Sequence, residues 1–580
     1  MDSSAVGRSE AGAFLDRAER RLLELSIDAQ RAEWVYATYI TEDSEAVAAR
    51  ANARVISSTV ELAKESTRFG GTPLSREEAR KLKLLRLALS LVAPSGAVES
   101  GELTSLVAAM QSAYSKGRHT PIGESEPMDL QGLSRRLKES RDPRLLEDAW
   151  VGWHRVGRAM RPGFTRYVEL ANRGARELGF ADTGAMWRSK YDMAPEEFAA
   201  EVERLWAQVQ PLYRSLHAYV RRRLRATYGE ALVPANAPIP AHLLGNMWAQ
   251  SWDGIVPLLA PPGEARHFDL TDALVARKTS PEEMVRHGER FFVSTGMDPL
   301  PATFWERSML SRPRDREVVC HASAWDVDFA GDLRIKMCVE ITGEDFQVIH
   351  HELGHNYYQR AYAAQPFLFR DSAHDGFHEA LGDTVALSVT PEYLIRIGLA
   401  AADAPFPDDT GLLLERALEK VAFLPFGLAV DRWRWQVFSG EVGPSDYTRS
   451  WWAIRKAYQG VAPPGERTEE EFDPGAKYHV PSNVPYMRYF LAHILQFQFH
   501  RALVKAAGAS GPLHRASIFG SRAAGDRLRA MMELGQSREW PDALEALTGE
   551  RRMDAAGLLE YFEPLRRWLD EQNRGEPVGW

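Results

Sequence analysis

Cysteine is the scarcest residue of chemical consequence: 580 residues contain two, Cys320 and Cys338. Two thiols cannot build a four-thiolate zinc site, and by count alone they read as buried free thiols. No apolar run approaches the ~18–20 residues needed to span a bilayer, so no membrane-spanning helix is expected. The polar stretch Met1–Gly12 lacks the apolar core of a signal peptide. Either the protein is cytosolic or a leader is absent from this sequence. Positive charge is not in excess, with 71 Lys and Arg against 80 Asp and Glu and a net charge of −9, which argues against a nucleic-acid partner. Low-complexity linkers and internal repeats at solenoid periods are also missing. One large domain, split into two lobes by a cleft, is the simplest organisation.

What is present is a soluble globular composition, 44% hydrophobic and 26% charged, enough for a sizeable core. Leu15, Ala18, Leu22, Leu25, Ala29, Ala32 and Tyr36 recur at spacings of three and four, which predicts an amphipathic helix. Thr41 and Ser44 offer cap chemistry before a second helix over Glu45–Lys64. Further helices are predicted at Arg76–Leu91, Glu197–Tyr228, Asp408–Gly427 and Val484–Ala506. The best strand candidate is Leu333–Ile341. Proline and glycine mark loops at Pro234–Pro240, Pro261–Gly263, Ala404–Gly411 and Ala462–Gly475. The fold class is therefore all-α.

The run His350-His351-Glu352-Leu353-Gly354-His355 contains the pattern His-Glu-x-x-His. Four helical residues turn through about 400°, so His351 and His355 share a face one turn apart. Two such imidazoles can grip one Zn²⁺, with Glu352 placed to act on water beside it. His350 lies about 100° off that face and is not a ligand. A third ligand is needed, and His374, His378 and Glu379 are the nearby candidates. No third His follows closely enough after His355 for a metzincin-type site. A Glu on a second helix is the usual remaining solution. Glu379 and Asp383 are four apart and face one way, which suits Glu379 as ligand and Asp383 as acceptor of a histidine ring N–H.

The run HHELGH followed by GFHEALGD resembles the angiotensin-converting enzyme family of zinc peptidyl-dipeptidases. So do Pro238–Trp252, Val318–Asp326, Phe423–Trp435 and Ala476–His500, in matching order, covering most of the chain from about Trp34 onward. The resemblance implies an all-helical ellipsoid split by a deep internal channel, with a few short strands near the zinc site. It also implies residues 13–580 as one catalytic domain after a polar tail 1–12, with 13–115 as lid helices. His351, His355 and Glu379 would hold zinc, Glu352 would be the general base, and Tyr489 with His479 would stabilise the developing oxyanion. His321 and the backbones of Ala322 and Ala324 match positions that contact an extended peptide.

Gln250, Lys477 and Tyr486 match the residues that hold a substrate's C-terminal carboxylate in dipeptide-releasing members. A single-residue carboxypeptidase relative has Arg at the Gln250 position. The implied activity is release of C-terminal dipeptides from oligopeptides with a free C-terminus. The alternatives are a single-residue carboxypeptidase, an oligopeptidase or a non-catalytic peptide-binding relative. Chloride activates many members of the family. Tyr191 and Arg488 match one chloride site, and Trp451 and Arg455 match another, where Arg155 is the nearest substitute for a further arginine. Cys320 and Cys338 resemble one of the family's disulfide pairs, which favours a periplasmic or secreted protein.

Overall fold

The computed structural model describes residues 9–259 and 267–580. The predicted loop Pro261–Gly263 lies outside them. The structure is 64% helical and 3% strand, so the class is all-α. Helices α1 (Glu10–Thr38) and α2 (Glu42–Glu65) form an antiparallel pair, followed by α3 (Arg76–Leu87) and, further on, the long α4 (Pro195–Tyr228). The centre is built by α5 (Gly343–Tyr362), α6 (Asp375–Leu387), α7 (Asp409–Ser439) and α8 (Met487–Ala506). Strands β1 (Ile239–Pro240) and β4 (Val461–Ala462) pair in parallel, and β2 (Ser323–Asp326) and β3 (Leu333–Lys336) pair antiparallel, with Ala324 opposite Ile335.

Local chemistry explains the boundaries. Ser9 caps α1 by accepting from the Gly12 N–H, so the helix starts at Glu10 and the polar tail is shorter than Met1–Gly12. Thr41 and Ser44 form a capping box that starts α2. Helix α3 stops at Leu87 rather than Leu91, and β3 stops at Lys336 rather than Ile341. The strand ends where its pairing with β2 does, Asp326 opposite Leu333 and Ser323 opposite Lys336. Beyond it Met337 and Val339 donate singly to Met309 O at 2.8 Å and Leu310 O at 3.3 Å without forming a regular strand. Helix α7 runs on past Gly427 through Pro425 to the left-handed Gly440, because almost its whole circumference is buried.

Helix α8 is buried over most of its circumference, with Phe490, Leu491, Ile494, Leu495, Phe497 and Phe499 in the core beside buried Gln496, Gln498 and His500, and it packs against α6 and α7 in the main core. A second, smaller core joins Phe14, Leu15, Leu22, Leu62, Phe69 and Leu85 within α1–α3 and the turn after α2. The N-terminal helices thus carry apolar packing of their own. The end of α1 is sewn to the segment before β2 by Val319 N–H to Ala37 O at 2.8 Å and Ile40 N–H to Glu317 O at 2.9 Å. No helix among the described residues is long and apolar enough to cross a membrane.

Candidate metal and peptide site

Helix α5 starts where Thr342 accepts from the Asp345 N–H at 3.1 Å, with Glu344 and Asp345 in the first turn favoured by the helix dipole. It continues unbroken through His351 and His355, whose Nε2 atoms lie 3.1 Å apart. Helix α6 crosses it at two glycines. A Cβ on Gly354 would lie 3.1 Å from Gly382 Cα, and one on Gly382 would lie 2.7 Å from His351 Nδ1. Glycine inside a helix costs about 1 kcal/mol against alanine. Here it lets two backbones approach closely enough to bring Glu379 and Asp383 to the histidines.

His351, His355 and Glu379 have ligand atoms within 4.8 Å of one another, and His351 Nε2 stands 3.8 Å from Glu379 Oε2. Tetrahedral zinc with bonds of about 2.0–2.1 Å places its ligand atoms roughly 3.3 Å apart, close to the spacing seen. Hydrogen bonding fixes the tautomers that such a site needs. His351 Nδ1 lies 3.2 Å from Asp383 Oδ1, so it donates there and turns its Nε2 toward His355 and Glu379. His355 Nδ1 lies 3.0 Å from His378 Nδ1, and His378 Nε2 lies 3.3 Å from Tyr362 Oη. A chain of donors from His355 through His378 to Tyr362 leaves His355 Nε2 as an acceptor, facing His351 Nε2 at 3.1 Å. The donor set fits zinc.

His378 therefore stands behind His355 and is not itself in the cluster. His374 is the N-cap of α6, its Nδ1 accepting from the Gly376 N–H at 3.1 Å. His350 is buried and bonded to Phe346 O and Tyr393 Oη, away from the cluster. Asp383 is held by two groups that spacing in sequence did not reveal. Gln496 on α8 donates to it at 3.0 Å and Lys420 on α7 lies 3.4 Å away. Burial alone would raise the Asp383 carboxyl, but Lys420 and His351 outweigh it and hold it well below the usual carboxylate range.

Glu352 is buried, and burial pushes its carboxyl up while His351, His321, Lys336 and the Ala324 N–H pull it back. A carboxylate with raised basicity, anchored by a strand N–H, suits proton transfer. A cavity of about 970 Å³ is lined by Glu352, His351, His321, Ala322, Asp383 and Lys420. Among the described residues, β2, which carries Ala324, pairs with no strand other than β3. Cys320 and Cys338 are joined in a disulfide that borders the cavity and fixes His321 beside it.

The second cluster lies along α8 and the loop before it. Gln250 Oε1 accepts from Lys477 Nζ at 2.7 Å and from Tyr486 Oη at 3.2 Å. Lys477 Nζ also sits 4.1 Å from the centre of the Trp248 ring. Burial, and then the Arg455 charge, push the lysine down to about 7. Tyr486 meets Tyr489 with ring centres 5.0 Å apart and His479 at 4.6 Å. Burial and the Glu379 carboxylate raise the Tyr489 hydroxyl, keeping it a donor. Burial, with Lys477 next, lowers His479 and keeps it neutral.

One buried ion pair on α7 sets this geometry. Asp431 Oδ2 accepts from the backbone N–H groups of Tyr486 and Met487, each at 2.7 Å, and so caps α8. Arg434, paired with Asp431, donates to His479 O at 2.9 Å and Val484 O at 2.7 Å. Neither residue stands out in the sequence, because their role depends on which backbone groups fold around them.

Tyr191 and Arg488 do come together, and both engage Asp375. Tyr191 Oη donates to Asp375 Oδ1 at 3.0 Å and Arg488 Nη2 lies 3.2 Å from Asp375 Oδ2. Arg455 is buried against the rings of Phe426, Trp451 and Trp452, and donates to Gln459 Oε1 at 2.5 Å and Trp248 O at 2.7 Å. Arg155 is exposed and takes no part there. It caps the C-terminal end of the helix Pro143–His154.

A family model described as angiotensin-converting enzyme matches residues 6–580. The chain is 42% identical over 582 residues to the angiotensin-converting enzyme of Bos taurus, covering 98% of this chain and 44% of that protein. It is 40% identical over 579 residues to that of Oryctolagus cuniculus, covering 99% of this chain and 44% of the relative. With that of Theromyzon tessulatum the identity is 40% over 559 residues, covering 94% of this chain and 89% of the relative. The chain thus spans less than half the length of these two mammalian relatives and most of the Theromyzon protein.

Proposed function

This chain belongs to the angiotensin-converting enzyme family, and we propose that it is a zinc metallopeptidase releasing dipeptides from the free C-terminus of oligopeptides. The observation that carries this reading is the pairing of two clusters. One is the His351, His355 and Glu379 donor set, and the other is Gln250 shared by Lys477 and Tyr486.

His351, His355 and Glu379 would hold the zinc, with Asp383 and His378 fixing the imidazole tautomers. Bound there, zinc supplies Lewis acidity that polarises a carbonyl and lowers the pKa of water. The protein's own groups then do the following. Glu352 accepts the proton from the attacking water and passes it to the leaving amine. Tyr489 donates its hydroxyl proton in a hydrogen bond to the carbonyl oxygen as charge develops, with neutral His479 beside it. Ala322 and Ala324 offer backbone groups to an extended substrate on the side of β2 away from β3. Lys477, Tyr486 and Gln250 hold the terminal carboxylate, and Lys477 supplies the charge.

Residues 13–580 are read as one catalytic domain in which the helices of 13–115 act as a lid. The separate small core of α1–α3 and the hydrogen bonds from the end of α1 to the segment before His321 support this for residues 13–87, whereas Leu103, Met110 and Tyr114 of the helix Ala97–Ser115 belong to the main core. The disulfide supports an exported, periplasmic or extracellular protein. The test is metal content with activity. Purified protein should carry one zinc, lose dipeptide release on chelation and regain it on zinc addition. Full activity after the metal is removed would refute the reading.

A further inference from the structure

Arg488 is the second residue of α8, and a cation at a helix N-terminus is opposed by the dipole. It is partly buried, at 27% side-chain exposure, and Lys190 adds a second positive charge nearby. A cation in such a place needs a fixed anion. Asp375 supplies it from the first turn of α6, where the dipole favours a carboxylate. Tyr191 donates to the same carboxylate, its ring stacked on Phe198 with centres 4.0 Å apart and its carbonyl accepting from Trp540 Nε1 at 2.7 Å. The anion is therefore covalently part of the chain and held on two sides.

Its position matters for the reaction. Asp375 lies one helical turn before Glu379 on α6, and Arg488 immediately precedes Tyr489 on α8. The ion pair ties together the starts of the two helices that carry the third metal donor and the oxyanion donor. We propose that Asp375 is a positioning residue, a built-in anion that holds Arg488 and so sets Tyr489 against Glu379, doing the work that a dissolved anion would otherwise do at this point. This rests on the zinc peptidase reading for its kinetic consequence, but not for its anion chemistry.

Removing the carboxylate should take from Arg488 its ion-pair partner, leaving the Asp371 and Glu379 carboxyls as the acidic groups still near the two cations, and open a space for a small anion. In Asp375→Ala, kcat for dipeptide release should fall by about 10- to 100-fold, as for a displaced transition-state donor, with KM and zinc content little changed. Sodium formate and sodium chloride should each restore kcat saturably in the variant, well beyond any response of the wild-type protein. The same salts should raise the variant's Tm saturably above the change seen for sodium sulfate at equal ionic strength. Asp375→Asn, which keeps the shape without the charge, should lose kcat similarly. Asp375→Glu should recover more of it than Asn. Equal anion dependence in wild type and Asp375→Ala, or no anion response in the variant's rate and Tm, overturns the proposal. Should the wild-type protein release no dipeptides at all, the peptidase reading fails. The Tm comparison then decides the anion site by itself.

Discussion

Gly382 lies so close to His351 that a Cβ added to it would stand 2.7 Å from the imidazole Nδ1. The same nitrogen lies 3.2 Å from Asp383 Oδ1. Bare backbone at residue 382 is thus what allows the ring its orientation. Gly382→Ala should leave a folded protein with a lower Tm, since overpacking typically costs about 1–3 kcal/mol. Zinc affinity should fall by about 10–100-fold, the usual effect of disturbing a ligand's outer partner. Chelator competition measures this. Gly163→Ala is the control, because its added Cβ would meet Leu106 at an ordinary 3.6 Å. Unchanged zinc affinity in Gly382→Ala would remove the glycine crossing from the explanation.

Glu352→Gln keeps the size of the side chain and removes its ability to accept a proton. Turnover should fall by about 10²-fold or more while zinc remains bound at full stoichiometry. Metal analysis beside the rate assay separates the roles. Loss of zinc in this variant would make Glu352 a structural residue.

Gln250 is an acceptor shared by two donors, Lys477 and Tyr486. Arginine has no acceptor, so Gln250→Arg would strand both donors and place two cations side by side. A buried donor left unpaired costs about 1–3 kcal/mol, so kcat/KM for dipeptide release should drop tenfold or more. Steady-state kinetics on one short peptide would decide. An unchanged kcat/KM would take Gln250 out of the carboxylate grip.

Burial and Arg455 bring Lys477 down to about 7. The cation is the form that pairs with a carboxylate, and its fraction in the free protein falls as pH rises through that value. For peptides with a free C-terminus, kcat/KM should therefore decline above pH 7 on this group's account. Lys477→Arg stays charged and should move that limb to higher pH. A pH profile identical in the two proteins would assign the limb elsewhere.

The parts of the site legible in the sequence are those set by helical spacing. His351 and His355 at i,i+4, and Glu379 and Asp383 at i,i+4, need only a helix to share a face. The structure supplies the two helices and brings His351, His355 and Glu379 together. Gln250, Lys477, Tyr486 and Tyr489 came from resemblance, since residues 250 and 477 have no local relation. What could not be read was tertiary. Lys420 and Gln496 reach Asp383 from two other helices, and Asp431 caps α8 from α7. Asp375 sat within the segment searched for ligands, yet its partners Tyr191 and Arg488 are more than a hundred residues away on either side. Of the fold, the long amphipathic helices were plain. Their ends were less so, as α3 stops four residues before Leu91 and α7 continues twelve past Gly427.

The central claim, that the terminal carboxylate is held so that two residues leave together, is tested by mass analysis of products from one peptide. An N-terminally blocked hexapeptide should yield its C-terminal dipeptide and the blocked tetrapeptide as first products, and its C-terminal amide should be cut much more slowly. Release of a single amino acid first, or equal cleavage of acid and amide, would contradict it.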